Sequence, residues 1–179
     1  MTCVKPTLCT PPAAAALFHR AAAHGPRAGA RLLADIALLL ASVIWVSPAL
    51  AQQVPQPRLP TVQLQAGMHN IVAEVAQTPQ QQQTGMMMRT AMAVHEGMLF
   101  AFDDVSPRCF WMKNTLLPLS IAFIEDDGTV VNIAEMKPKS EASHCSERPV
   151  RYALEMNQGW FAKRSIKAGF RLKGSPFKP

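Results

Sequence analysis

Apolar and polar residues change their spacing several times along the chain, and these changes mark out its elements. Residues 61–66 and 70–76 alternate apolar and polar around Gly67, which predicts two strands of a hairpin. Thr78-Pro79-Gln80 breaks the alternation. Thr suits an N-cap and Pro the first helical position, with Gln following in the first turn, so a short helix is expected to run to about residues 88–90. Residues 98–102, 110–114, 119–125 and 129–136 are short apolar runs bounded by turn residues, as strands are. Asp127-Gly128 between the last two is a strong hairpin turn. Residues 137–149 are polar, include Pro138 and Pro149, and read as a loop. A further strand is expected at 151–156, a short helix capped by Asn157 through 160–164, and a last short strand after Lys167-Ala168-Gly169. The pattern predicts a mainly β fold: one compact antiparallel sandwich or barrel over residues 61–179, with two short helices.

The chain before residue 61 follows another rule. Arg20, Arg27 and Arg31 precede an apolar run over 36–46 broken by Ser42, and Pro48-Ala49-Leu50-Ala51 ends in an A-x-A pattern. A spanning helix needs about 20 apolar residues, and Ser47-Pro48 stops this run short. Residues 1–51 therefore read as a cleaved signal peptide, which places the mature protein in the periplasm or outside the cell, with no stable membrane anchor. Residues 52–60 hold three prolines and three glutamines and read as an extended, poorly packed linker.

Export changes the meaning of charge and cysteine. The chain has 18 basic and 12 acidic residues; removing Lys5, Arg20, Arg27, Arg31 and Asp35 leaves 14 and 11, a net of +3. That balance, without a basic stripe interleaved with aromatics, argues against a nucleic-acid partner. Cys3 and Cys9 leave with the signal, so Cys109 and Cys145 remain. Two cysteines in an oxidising compartment, far apart and outside any Cys-x-x-Cys, are expected to form a structural disulfide rather than a redox or metal pair.

Two segments carry a resemblance. Phe110-Trp-Met-Lys-Asn-Thr115, within the run from Cys109 to Ile124, is backed by Gly97-Met-Leu-Phe100 and by Ala153-Leu-Glu-Met156 within Arg151 to Trp160. With these motifs the chain resembles the bacterial and archaeal family named domain of unknown function 192, from about Val62 to Leu172. The resemblance implies a mainly β fold like a distorted jelly roll, and it assigns no activity.

Candidate chemistry centres on the same segments. If 110–114 is a strand, Cys109, Trp111 and Lys113 share one face and Phe110, Met112 and Asn114 the other. In 151–156, Tyr152, Leu154 and Met156 would be core, leaving Arg151, Ala153 and Glu155 opposite. Trp111, Lys113 and Glu155 would then line one groove with Asn114 and Thr115 at its rim, a mixture of apolar surface and convergent polar groups that suits a small ligand. The plain alternative is a Lys113–Glu155 surface pair over a packed Trp111. Asn114-Thr115 and Pro118 read as a rigid turn leading into the strand at Leu119.

Other chemistries find less in the sequence. Met86-Met87-Met88, with His95 and Met98 nearby, invites Cu(I), yet consecutive helix positions point about 100° apart and Met is an ordinary core filler. His69, His95 and His144 fall in no metal pattern. Glu125-Asp126-Asp127-Gly128 lacks the alternate acids and distal Glu of a calcium loop, and Asp103-Asp104 is most simply a loop. No Gly-x-Ser-x-Gly elbow or glycine-rich phosphate loop is present. The leading expectation is a non-enzymatic exported module, without cofactor or metal, that binds a small ligand or an envelope protein through Trp111, Lys113, Asn114 and Glu155. The alternative is a hydrolase of envelope carbohydrate using Glu155 with a second acid such as Glu96.

Overall fold

The structure, a computed structural model, describes residues 54–178; the segment 1–51 read as a signal peptide lies outside the described residues. Eight strands follow the alternation: β1 (Thr61–Ala66), β2 (His69–Ala76), β3 (Glu96–Ser106), β4 (Cys109–Phe110), β5 (Leu119–Ile124), β6 (Val130–Met136), β7 (His144–Cys145) and β8 (Val150–Asn157). Six form one sheet in the order β1-β2-β3-β8-β5-β6, and β4 pairs with β7 apart from it. The two hairpins arise where turn chemistry demands them. Gly67 joins β1 to β2 at φ 62, a left-handed conformation that glycine adopts without strain. The Glu125 and Gly128 amides close the turn before β6, donating to the Thr129 and Glu125 carbonyls.

The expected antiparallel arrangement is corrected at one pair. β2 and β3 run parallel, with Val72 opposite Glu96 and Ala76 opposite Phe100. A parallel pair needs a crossover, and α1 (Pro79–Thr84) lies within it. Thr78 caps α1: its side chain accepts from the Gln81 amide, and the Gln81 side chain accepts from the Thr78 amide in return. The helix ends earlier than expected, where Gly85 donates back to the Gln81 carbonyl. The second expected helix is a single 3-10 turn, Ala162–Arg164. With β1 and β6 at its edges, the mixed sheet is open and not a closed barrel.

Both faces of the sheet are covered. On one, Leu64, Ile71, Leu99, Leu154 and Met156 pack with Trp160 and Phe161. On the other, Met98, Phe100, Ile121 and Phe123 meet Met86, Phe110 and Met112 from the connections. β8 therefore has no solvent face, and Tyr152 to Met156 are all buried. The strands around it approach closely: a Cβ at Gly97 would stand 2.6 Å from the Glu155 carbonyl oxygen, so this position of β3 accepts only glycine.

Five of the seven described residues of the segment read as a linker are exposed. Residues 54–60 are extended but anchored. The Gln56 side-chain amide donates from Nε2 to the Gly85 carbonyl at 2.8 Å, Arg58 pairs with Glu74 at 2.7 Å, and Leu59 packs against the methionine-bearing cluster.

Candidate functional site

The loop after β4 is shaped from the backbone outward. Cys109 and Phe110 are register partners of Cys145 and His144, and Cys109 and Cys145 form a disulfide with Cα atoms 4.0 Å apart. Phe110 is buried edge-on to Phe100 at 4.9 Å between ring centroids. Beyond Phe110 the chain leaves the strand, which corrects the expected strand at 110–114. The Met112 amide donates to the Ser140 carbonyl at 2.8 Å, and a turn over Lys113-Asn114 closes with the Thr115 amide on the Met112 carbonyl at 3.0 Å. Asn114 sits at φ 59, a left-handed conformation that Asn tolerates better than most residues. The Asn114 carbonyl accepts from the Met88 amide, and the Thr115 carbonyl from the Lys139 amide, both at 3.0 Å. The turn assigned to Asn114 from sequence is thus present, and it is fixed from two neighbouring segments.

This loop presents Trp111 and Lys113. The Trp111 ring is half-buried, and its indole N–H is enclosed without a hydrogen-bond partner. The Lys113 ammonium lies 5.4 Å from the ring centroid, within cation–π range. Its ion pair is with Glu141 at 3.9 Å, not with Glu155. Both side chains of that pair are largely exposed, 44% and 64%, so the pair contributes little stability. Glu141 escaped the sequence reading because it lies in the polar 137–149 loop, which the disulfide and the Ser140 carbonyl draw beside Trp111. The Cys109–Cys145 spacing was the signal available for that juxtaposition.

Glu155 lies elsewhere. It is the register partner of Met98 on β3 and of Ile121 on β5, both in the methionine-bearing cluster. It is fully buried, and neither carboxylate oxygen has a hydrogen-bond partner. Burial pushes the carboxyl up to about 8, because a charge without partners is disfavoured in an apolar interior. Glu155 is therefore an uncharged acid at neutral pH. The sequence reading placed it on an open groove by assuming one solvent face for its strand, whereas the central position of β8 leaves none.

One strand beyond Met98, Glu74 occupies the same cross-strand row. Its carboxylate receives Arg89 Nη1 and Nη2, one on each oxygen, both at 2.7 Å. Arg58 Nη1 and the Leu59 amide add bonds at 2.7 and 2.8 Å. Burial pushes Glu74 up, but the bonds from Arg89, Leu59 and Arg58 outweigh it and hold the carboxyl below its ordinary value. This cluster was missed from sequence, although an acid inside the apolar alternation of 70–76 was a legible sign.

The remaining candidates take ordinary places. Met86 and Met87 are buried in the turn after α1, and Met86, Met98, Met112 and Met136 share one cluster. His69 stands edge-on to Trp160. Glu96 accepts from the Ala93 amide and pairs with Arg58, so it does not stand as a free second acid for Glu155. Asp104 pairs with Arg108. Among the described residues, no three of His, Cys, Asp or Glu gather as metal ligands.

Fold and loop together define a small mixed-sheet β domain with a disulfide-pinned aromatic loop and a buried neutral acid. The chain belongs to the domain of unknown function 192 family, described as an uncharacterized ACR, whose model matches residues 62–174. Two solved structures are similar. One, from Sinorhizobium meliloti 1021 and described provisionally as a transcription regulator, is 38% identical with a TM-score of 0.63, over 67% of this chain and 98% of that one. The other, a protein of unknown function from Novosphingobium aromaticivorans DSM 12444, is 34% identical with a TM-score of 0.59, over 63% of this chain and 83% of that one. No curated protein matches the chain.

Proposed function

We propose that the mature chain is a non-enzymatic module of the periplasm or the extracellular space that binds a small ligand or an envelope protein on the Trp111, Lys113 and Asn114 surface. The observation that supports this reading is the rigid presentation of an aromatic ring with a cation above it. Four backbone hydrogen bonds and a disulfide hold the loop, so little ordering entropy remains to be lost on binding. Glu155 takes no direct part at that surface. It lies inside, on the sheet face covered by the cluster to which Met112 belongs.

A thermal-shift screen of envelope sugars and peptides on the wild type and Trp111→Ala tests the reading. A ligand that stabilises only the wild type is the expected result. Equal stabilisation of both proteins would clear Trp111 of a binding role. Export is tested separately by mass spectrometry of the secreted protein. A mature N-terminus at Gln52 is expected, and one upstream of Ile36 would refute cleavage.

One feature favours the envelope-hydrolase reading: burial without a hydrogen-bond partner pushes the Glu155 carboxyl up to about 8, toward the protonated form a general acid needs. Against it, Glu155 is enclosed, and Glu74, the acid in the same row, has both oxygens occupied by arginine. The copper reading gains nothing from Met86, Met98, Met112 and Met136, whose burial is accounted for by packing. The transcription-regulator description of the Sinorhizobium protein is not carried over. Arg58, Arg89, Arg108, Arg148, Arg151 and Arg171 are each paired with a carboxylate, which takes them out of any basic stripe for nucleic acid.

A further inference from the structure

Residues 54–60 lie against the sheet in the way a bound peptide would. The Gln56 amide donates to the Gly85 carbonyl at 2.8 Å and to the Gln81 carbonyl at 3.3 Å, at the C-terminal end of α1. Arg58 Nη1 donates to Glu74 Oε1 at 2.7 Å, and the Leu59 amide to Glu74 Oε2 at 2.8 Å. The Pro60 carbonyl accepts from the Val75 amide at 2.9 Å. The Leu59 side chain packs against the methionine-bearing cluster. One extended segment thus offers a side-chain amide, a guanidinium, a backbone N–H, a backbone carbonyl and an apolar side chain to five matching features of the surface.

The receiving carboxylate has a partner outside the segment as well. Glu74 is buried, 3% exposed, and its orientation is set by Arg89, itself 8% exposed. Arg89 takes one bond on each oxygen and leaves the remaining lone pairs to the segment. The segment, by contrast, is open on one flank. A cleft of about 260 Å³ separates Pro55, Gln56 and Arg58 from Met88, Arg89, Thr90 and Ala91. Arg58 is 60% exposed even while its fork is engaged.

We propose that this groove, between the end of α1, the turn at 85–91 and the β2–β3 face, is a peptide-binding site occupied in cis by residues 54–60. Its partner in trans is an extended peptide carrying an arginine followed by an apolar residue. Glu74 reads the arginine side chain and the backbone N–H after it. The requirement is chemical: a buried carboxylate with free lone pairs demands a donor, and a guanidinium with an adjacent N–H supplies two in a fixed fork. The cis segment holds the site closed until a peptide of the same chemistry displaces it.

The test uses the mature chain with Arg58→Ala, which loosens the cis segment, and a fluorescent peptide of residues 52–60. Circular-dichroism melting first establishes that the variant is folded. Fluorescence polarisation should show saturable binding of the peptide to the variant and weaker binding to the wild type. The same peptide with alanine at the arginine position should lose roughly tenfold or more in affinity, as truncation of a partner to a buried charge does. No binding to a folded variant would overturn the proposal, as would equal binding of the two peptides. Should Arg58→Ala not fold, Arg58→Lys, which keeps the charge and loses the fork, carries the same comparison.

Discussion

Glu74 and Glu155 stand in one cross-strand row on either side of Met98, and they hold opposite protonation states. Both are buried. Glu74 stays charged because two arginines and a backbone amide bind its oxygens, whereas Glu155, between Met98 and Ile121, has no partner and keeps its proton. Two carboxyls on one sheet face therefore respond to pH with opposite sign.

Glu155 should make the fold less stable as pH rises. Its folded value, about 8, lies above the ordinary 4.5. Its contribution is fully present below 4.5 and is lost progressively as pH climbs through 8, a loss on the order of several kcal/mol. Urea unfolding between pH 4.5 and 9 measures this. Glu155→Gln should flatten the decline, and a wild type equally stable across the range would show that Glu155 is not a buried neutral acid.

Arg89→Ala should destabilise strongly, because it removes the buried partner of Glu74 and leaves the carboxylate only the largely exposed Arg58 and the Leu59 amide. Loss of one member of a buried ion pair costs about 3–5 kcal/mol. The double variant Glu74→Met with Arg89→Met should recover much of that stability. Chemical denaturation of both proteins decides the matter, and an Arg89→Ala protein within 1 kcal/mol of wild type (about the worth of a single ordinary hydrogen bond) would count against the pair.

The disulfide closes a loop between residues 36 apart. In the chain-entropy model its removal lowers stability by about 4 kcal/mol. Cys109→Ser with Cys145→Ser should shift the urea midpoint accordingly, and the Trp111 fluorescence of the folded variant should report a looser loop. Cys109 and Cys145 both reactive as free thiols in the native protein would exclude the bridge.

Asn114 tests the turn against the binding surface. With φ at 59, Asn114→Ala should lower stability by about 1 kcal/mol, while Asn114→Gly relieves the backbone strain and loses only the side chain. If the turn is the whole role of Asn114, ligand affinity of the folded Ala variant stays unchanged. A variant of native stability that no longer binds would move Asn114 into the site.

Local chemistry alone determined a good part of this molecule. The alternation at 61–66 and 70–76, the Thr78-Pro79 cap, the Asp127-Gly128 turn and the apolar runs at 119–125 and 129–136 are each written in neighbouring residues. Phe110-Trp-Met-Lys-Asn-Thr115 and Ala153-Leu-Glu-Met156 carried the family. Strand partners and burial were another matter. Period-two patterning says which residues share a face but not which strand lies beside it, so the parallel β2–β3 pair became visible only once the crossover through α1 was folded. The same gap misplaced Glu155: its strand reads as half-exposed in isolation, and only a central position between β3 and β5 removes water from both faces. Lys113 met Glu141 because a disulfide drew a distant loop to it, and Glu74 found Arg89 and Arg58 across separate segments. Such encounters depend on how elements stack in space, a relation that residue spacing along the chain does not encode.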